Sequence, residues 1–159
     1  MKPNPDSDLS LLLTAASAGA DEAVRQRLRE AGFTDVRRSH GYVFQHLLAG
    51  PITVGRLADL LGMTGQGASK AVKELEGLGY VTRTADPEDA RVRLVALTER
   101  GSRAVQESRR ARREYHEEVR NLLGDTEMDA LIRNLHALAV HTQGLDLLLQ
   151  RRLRPTAGR

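Results

Sequence analysis

Two short amphipathic segments, separated by a turn of about three residues, constrain the fold of this chain more than any other feature. Residues 54 to 61 and about 65 to 77 carry apolar side chains at helical spacing. A threonine suited to N-capping precedes each segment, at Thr53 and Thr64. Gly62 lies between them and tolerates the left-handed conformation that ends a helix. The pattern predicts a helix-turn-helix.

An alternating pattern typical of β-strands follows the stop signal at Gly79. Residues 80 to 84 and 91 to 97 alternate in polarity, and the Asp-Pro-Glu-Asp sequence of residues 86 to 89 between them is typical of a turn. Thr98 is suited to cap a further helix. A β-hairpin directly after a helix-turn-helix predicts a winged helix.

Further amphipathic helices are predicted on both sides of this unit. They cover residues 9 to 31, 37 to 48, about 99 to 122, and a last helix that Thr126 caps. The winged helix is too small to cover the apolar stripes of the first helix and the last two. We therefore expect these three helices to pack on each other and on a second copy of the chain, most simply as a two-fold dimer.

The predicted fold class is mainly α with a small β-hairpin wing. Residues 36 to 100 would form the winged helix-turn-helix, which is the DNA-binding region if the chain binds DNA. Residues 1 to 35 and 101 to 155 would form a helical dimerisation region, intertwined with it as one domain. Asp6, Ser7 or Asp8 could cap the first helix, and the last residues of the chain are expected to fray.

Composition narrows the classes of function. The chain has no cysteine, which excludes disulfides and thiolate chemistry, and no apolar run of membrane-spanning length. The polar N-terminus does not resemble a signal peptide, so we expect a cytoplasmic protein without a membrane partner. A net charge of +3 with a pI of about 9.7 weakly favours a polyanionic partner. Because only 3% of residues are aromatic, double-stranded DNA is favoured over single strands.

The motifs from residue 52 to residue 101 together resemble the winged helix of the MarR family of bacterial transcriptional regulators. They are a Thr-x-x-x-Leu-Ala start, a Leu-Glu-x-x-Gly-x-Val end, an Asp-Pro-x-Asp-x-Arg wing and a closing Leu-Thr-x-x-Gly, at Thr53–Ala58, Leu75–Val81, Asp86–Arg91 and Leu97–Gly101. The resemblance implies a homodimeric DNA-binding regulator. Such a regulator would repress transcription by occupying an inverted-repeat site in a promoter and blocking polymerase.

The second helix of the helix-turn-helix would present its N-terminal residues to base edges in the major groove. Gln can pair with adenine, Lys with guanine, and Ser with several groups. The predicted DNA contacts on this helix, including its cap, are Thr64, Gln66, Ser69, Lys70 and Lys73. A solvated polar face is the alternative interpretation.

The wing supplies the other predicted contacts. Similarity to the family suggests that Arg91 enters the minor groove and that Asp89 orients its guanidinium. An ordinary hairpin salt bridge is the alternative. Arg93 would contact phosphates or keep its strand face hydrated. Many family members carry two adjacent arginines after the wing aspartate, whereas this chain has Ala90 followed by Arg91, so one contact is missing.

The resemblance also implies an effector. Many related regulators release DNA when a small aromatic or anionic ligand binds between the dimer helices and the winged helix. A cationic, hydrogen-bonding group falls near that position on the second helix and comprises Arg38, His40, Tyr42 and His46. A core role for the tyrosine and surface or interface roles for the histidines are the alternative.

Other chemistry receives no support from the residues. The histidine spacings lack the i,i+4 arrangement of a helical metal site, and no carboxylate pair or nucleophile–base arrangement is visible. We therefore predict no metal, no cofactor and no enzyme. Two other functions stay open, a winged helix that binds proteins and a non-specific architectural DNA binder.

Overall fold

The computed structural model describes residues 8–149, apart from the side chain of Leu147. This part of the chain forms seven helices and a three-stranded sheet. The helices are α1 (Leu9–Glu30), α2 (Arg38–Leu47), α3 (Val54–Leu61), α4 (Gly65–Gly77), α5 (Glu99–Leu123), α6 (Asp125–His141) and α7 (Gly144–Leu149). The strands are β1 (Ile52–Thr53), β2 (Val81–Ala85) and β3 (Arg93–Leu97).

The helix-turn-helix has the predicted bounds and the predicted caps. The Thr53 hydroxyl accepts a hydrogen bond from the N–H of Arg56 at 3.1 Å, and that of Thr64 accepts one from Gly67 at 3.1 Å. Gly62 ends α3 with a φ of 63°. Each cap satisfies a backbone donor that a helix leaves without a partner, so local sequence alone places both helices.

The sheet contains one strand more than the predicted hairpin. All pairs are antiparallel in the order β1-β3-β2, with Ile52 opposite Val95 and Val81 opposite Leu97. β1 has two residues, too few to show a period. β3 begins at Arg93, so Arg91 lies in the wing turn and does not open the strand as predicted.

One core joins the winged helix to its neighbours. Fully buried side chains from α2, α3, α4 and the sheet surround Tyr80. The same cluster includes Leu28 of α1, Phe33 of the following loop, and Ala104 and Val105 of α5. The winged helix is therefore packed directly on the helices that flank it in sequence.

The last helix differs from the prediction. Thr126 does not cap it, because Gly124 ends α5 at φ 88° and α6 begins at once with Asp125. No side chain caps this end of α6, but Asp125 and Glu127 place negative charge in its first turn, which stabilises the positive N-terminal end of the helix dipole. The helix also breaks at Gln143, which has a φ of 57°, so that α6 and α7 are separate.

Several helix faces are apolar and exposed. Leu48 and Leu122 are 40% and 80% exposed. α1 and α6 carry larger groups, namely Leu9, Leu12, Leu13, Leu131, Ile132, Leu135 and Leu138. Among residues 8–149, no helix is both long enough and apolar enough to cross a membrane. The predicted cap positions Asp6 and Ser7, and the dimerisation region beyond residue 149, lie outside the described residues.

Candidate nucleic-acid interface and adjoining cavity

One face of α4 is polar and exposed, whereas the opposite face is part of the core. Ala68, Val72 and Leu75 are completely buried. The exposed face comprises the predicted contacts Thr64, Gln66, Ser69, Lys70 and Lys73. Within residues 8–149, no ion pair neutralises Lys70 or Lys73. The structure therefore brings the predicted helix residues together as a cationic, hydrogen-bonding surface at the start of a capped helix.

The first turn of α4 is tightly built. A Cβ added at Gly67 would lie 3.1 Å from the Met63 Cε and 3.2 Å from the Thr64 Oγ1. The Thr64 hydroxyl is also occupied as an acceptor by the Gly67 N–H. Gly67 thus lets the cap close on the helix, a role that its low helix propensity alone does not reveal.

The acidic residues of the wing shape its turn. A carboxylate oxygen of Asp86 accepts from the N–H of Glu88, and one of Asp89 accepts from the N–H of Arg91, both at 2.9 Å. The Asp89 carboxylate therefore binds the backbone of Arg91, and no ion pair in the described part of the chain joins it to the guanidinium. Arg91 and Arg93 are exposed at the wing.

Sequence reasoning missed a polar cluster behind the wing. The Tyr80 hydroxyl donates to the carboxylate of Asp35, and Arg100 Nη2 donates to the Tyr80 oxygen at 3.2 Å. The Arg100 guanidinium also lies 4.8 Å from the centroid of the Tyr80 ring. Burial, and next the hydrogen bond to Asp35, raise the pKa of Tyr80 to about 12. The contact joins residues 45 positions apart in sequence, so no local sequence pattern predicts it.

A second polar cluster links α2 to α4. Arg37 Nη1 lies 2.9 Å from a carboxylate oxygen of Glu74, and His40 Nε2 lies 3.7 Å from the same oxygen. The His40 Nδ1 accepts a hydrogen bond from the Arg37 N–H at 3.2 Å. His40 is 5% exposed. Its burial lowers its pKa by more than the nearby carboxylate raises it.

A cavity of about 930 Å³ lies between α1, α2, α5 and α6. Its walls are mainly apolar and include Leu13, Phe44, Val105, Met128 and Leu135. Of the four predicted ligand residues, Arg38 lines it. His40, Tyr42 and His46 are not among its lining residues, and His40 points instead toward α4.

Four arginines line the cavity, and their charge environments differ. Arg25 pairs with Glu22 at 2.6 Å, Arg37 with Glu74 at 2.9 Å, and Arg38 with Asp21 at 2.9 Å. Arg112 forms no ion pair within residues 8–149. The Arg112 residue is exposed, but partial desolvation of its guanidinium, and next the charge of Arg109, lower its pKa. Among the cavity-lining arginines of residues 8–149, Arg112 is the one whose charge no carboxylate neutralises.

No group of three or more histidine, aspartate or glutamate side chains in the described ranges could hold a metal ion. α4 and the wing offer hydrogen-bond donors and positive charge, and the cavity between α1, α2, α5 and α6 offers mainly apolar walls.

A family model described as the MarR family matches residues 34–92. The curated riboflavin kinase of Thermoplasma volcanium is 42% identical over 50 residues, which are 31% of this chain. Those residues are 21% of the kinase, so the chain spans about a fifth of the length of that relative.

Solved structures match over most of both chains. Transcriptional regulator Tm0710 from Thermotoga maritima is 26% identical with a TM-score of 0.58, covering 85% of this chain and 94% of its own. A point mutant of Staphylococcus aureus MepR, bound to an oligodeoxyribonucleotide, is 23% identical with a TM-score of 0.60, covering 85% and 98%. CouR from Rhodococcus jostii RHA1 bound to p-coumaroyl-CoA is 24% identical with a TM-score of 0.56, covering 87% and 96%. The likeness to the MepR mutant and to CouR shows that these two proteins have the same fold as this chain.

Proposed function

We propose that this chain, which belongs to the MarR family of transcriptional regulators, represses transcription by binding an inverted-repeat DNA site as a homodimer. Its occupancy of a promoter would block polymerase sterically. The chain would reside in the cytoplasm, and an anionic small molecule would release it from DNA. The winged helix-turn-helix would comprise residues 36 to 100, and the dimerisation region residues 1 to 35 and 101 to 155.

The observation that carries the proposal is the exposed face of α4. A helix that enters the major groove must expose side chains near its N-terminus and keep them available for base edges. Gln66, Ser69, Lys70 and Lys73 meet both conditions, since they are exposed and no ion pair in the described structure occupies the two lysines. The DNA-bound MepR structure supports DNA binding as a use of this fold.

The wing would add contacts beside the helix. Arg91 is exposed in a turn that two aspartates hold through backbone hydrogen bonds. A narrow minor groove attracts an inserted arginine, and Arg93 would then reach phosphates. Asp89 would position Arg91 through its backbone amide, not through its guanidinium.

The homodimer is supported by apolar surface that one chain leaves open. α1 exposes Leu9 by 57% and Leu12 by 47%, and α6 exposes Ile132 by 42% and Leu135 by 41%. Clusters of this kind on a small protein mark interaction sites. A two-fold partner would cover both helices and place two α4 helices side by side.

Because Leu12, Ile132 and Leu135 both line the cavity between α1, α2, α5 and α6 and belong to the exposed faces that a partner would cover, the ligand would be an apolar anion held in the part of the cavity near Arg112 that the partner leaves open. Arg112, which forms no ion pair within the described residues, would bind its charged group, and the apolar walls would hold the remainder. CouR bound to p-coumaroyl-CoA supports this class of ligand for the fold. The ligand would act through its different affinity for two spacings of the recognition helices.

Selection of the purified protein against a random duplex library, followed by sequencing of the bound DNA, tests the proposal. We expect an enriched palindrome whose half-sites lie about ten base pairs apart. Retention without an enriched motif would instead indicate an architectural DNA binder. No retention at low salt would leave a protein-interaction module.

A further inference from the structure

The recognition helix α4 is attached to α2 through one carboxylate. Glu74 lies one position after Lys73 on the helix that would read DNA, and its oxygen is shared by Arg37 at 2.9 Å and His40 at 3.7 Å. We infer that Arg37 and His40 position α4 for DNA through Glu74, so that Glu74 is a positioning residue and not a DNA contact. The inference rests on the proposed function.

The hydrogen bond to His40 Nδ1 determines which ring nitrogen faces Glu74. Because its Nδ1 accepts from the Arg37 N–H at 3.2 Å, its hydrogen in the neutral form is on Nε2, the atom nearest Glu74. The ring is 5% exposed and tilts against Phe44 at a centroid distance of 6.3 Å, so the core holds its orientation. Glu74 therefore contacts one buried partner, His40, and one exposed partner, Arg37, on the α2 side.

Arg37 gives this attachment a second connection. Its side chain is among those that line the cavity, whereas its Nη1 lies on Glu74 of α4. Gly41 and Phe44 of α2 line the same cavity. Arg37 therefore contacts both the cavity at the start of α2 and Glu74 of α4.

The sign of one substitution separates positioning from simple charge. A carboxylate beside DNA repels phosphates, so its neutralisation by Glu74→Gln would strengthen binding if Glu74 were only a surface charge. If Glu74 positions α4, the same substitution weakens binding to the selected site and lowers its preference over a scrambled duplex. The two accounts predict opposite changes.

The experiment measures the affinity of the full-length protein for its selected duplex and for a scrambled duplex at fixed salt, by fluorescence anisotropy. We expect Glu74→Gln and Arg37→Ala each to weaken specific binding by about fivefold or more, the lower end of typical coupling between sites. The double variant should be no weaker than either single variant, because both remove one link. Arg37→Lys, which keeps the charge, should recover part of the affinity.

Glu76→Gln is the matched control. It removes the same charge from the same helix, but Glu76 faces Arg83 of β2 at 3.7 Å and not α2. It should leave specific binding unchanged or slightly stronger. Thermal unfolding of each variant, all changed at partly exposed positions, verifies that the protein is folded.

The results distinguish a failure of the proposed DNA-binding function from a failure of the positioning role of Glu74. If the wild-type protein binds no duplex specifically, the proposed function fails. If the wild type binds and Glu74→Gln binds equally or more tightly, the positioning role is wrong. Additive losses in the double variant would likewise overturn it, since they would show that Arg37 and Glu74 act separately.

Discussion

Gly101 lies directly against the carbonyl oxygen of Tyr80, so closely that a Cβ at position 101 would be 2.1 Å from that oxygen. The same carbonyl accepts the N–H of Thr98 at 3.0 Å, and the Thr98 hydroxyl both donates to Gly79 at 2.7 Å and accepts from Gly101 at 3.0 Å. The Leu-Thr-x-x-Gly motif thus fastens the first turn of α5 onto the chain where it enters the wing.

Gly101→Ala should destabilise the protein, because its methyl group would collide with backbone that cannot move freely. We expect a loss in the free energy of unfolding of about 1–3 kcal/mol or more, as for other overpacked sites, measured by urea denaturation. The matched control is Gly77→Ala at the end of α4, where an added Cβ meets nothing within 4 Å. It should be neutral or stabilising by up to about 1 kcal/mol.

Tyr80→Phe should also destabilise the protein, since it removes the hydroxyl that joins Asp35 to Arg100. A hydrogen bond to a charged group contributes about 1.5–3 kcal/mol, and this loss should appear in the same unfolding measurement. Tyr42→Phe is the control, because the described residues include no hydrogen-bond partner for its hydroxyl. Equal stability of the two variants would contradict the role of the cluster.

The Tyr80 hydroxyl should give the protein a dependence on alkaline pH. Its pKa is raised from 10.0 to about 12, so the folded state keeps a proton that the unfolded state loses first. The stabilisation is complete below about pH 10 and is lost as the pH rises toward 12. Ultraviolet titration of the three tyrosines should show one late component, and that component should be absent from Tyr80→Phe.

Local signals made the helix-turn-helix predictable to its ends. Thr53, Gly62 and Thr64 act through hydrogen bonds or φ angles within a few residues, so sequence spacing fixes them. The contacts that sequence reasoning missed are non-local. The two-residue strand β1 exists only because β3 pairs with it, and the polar contact of His40 depends on Glu74 of another helix. No proline marks the helix break at Gln143, and Gln143 itself, not the neighbouring Gly144, adopts the left-handed conformation.

Leu135→Glu should convert the proposed dimer to monomer. Leu135 is 41% exposed on α6, and burial of a glutamate at an apolar interface without a partner is costly. The change should barely affect the helix itself, because leucine and glutamate have similar helix propensities. Sedimentation velocity is the measurement, and Leu48→Glu, at a position 40% exposed on the winged helix, is the control. Dimers of unchanged stability in Leu135→Glu would place the interface elsewhere.

DNA recognition by α4 and the wing is tested by comparing the DNA affinity of the wild type with that of Lys70→Ala, Arg91→Ala and the control Arg133→Ala, whose exposed side chain lies on α6. Each is titrated against the selected duplex and a scrambled one at several salt concentrations. We predict that Lys70→Ala costs about 1–3 kcal/mol on the selected duplex and relaxes specificity, that Arg91→Ala also weakens binding, and that Arg133→Ala binds as the wild type does. Equal affinity of all four proteins for the selected duplex would contradict DNA recognition by α4 and the wing.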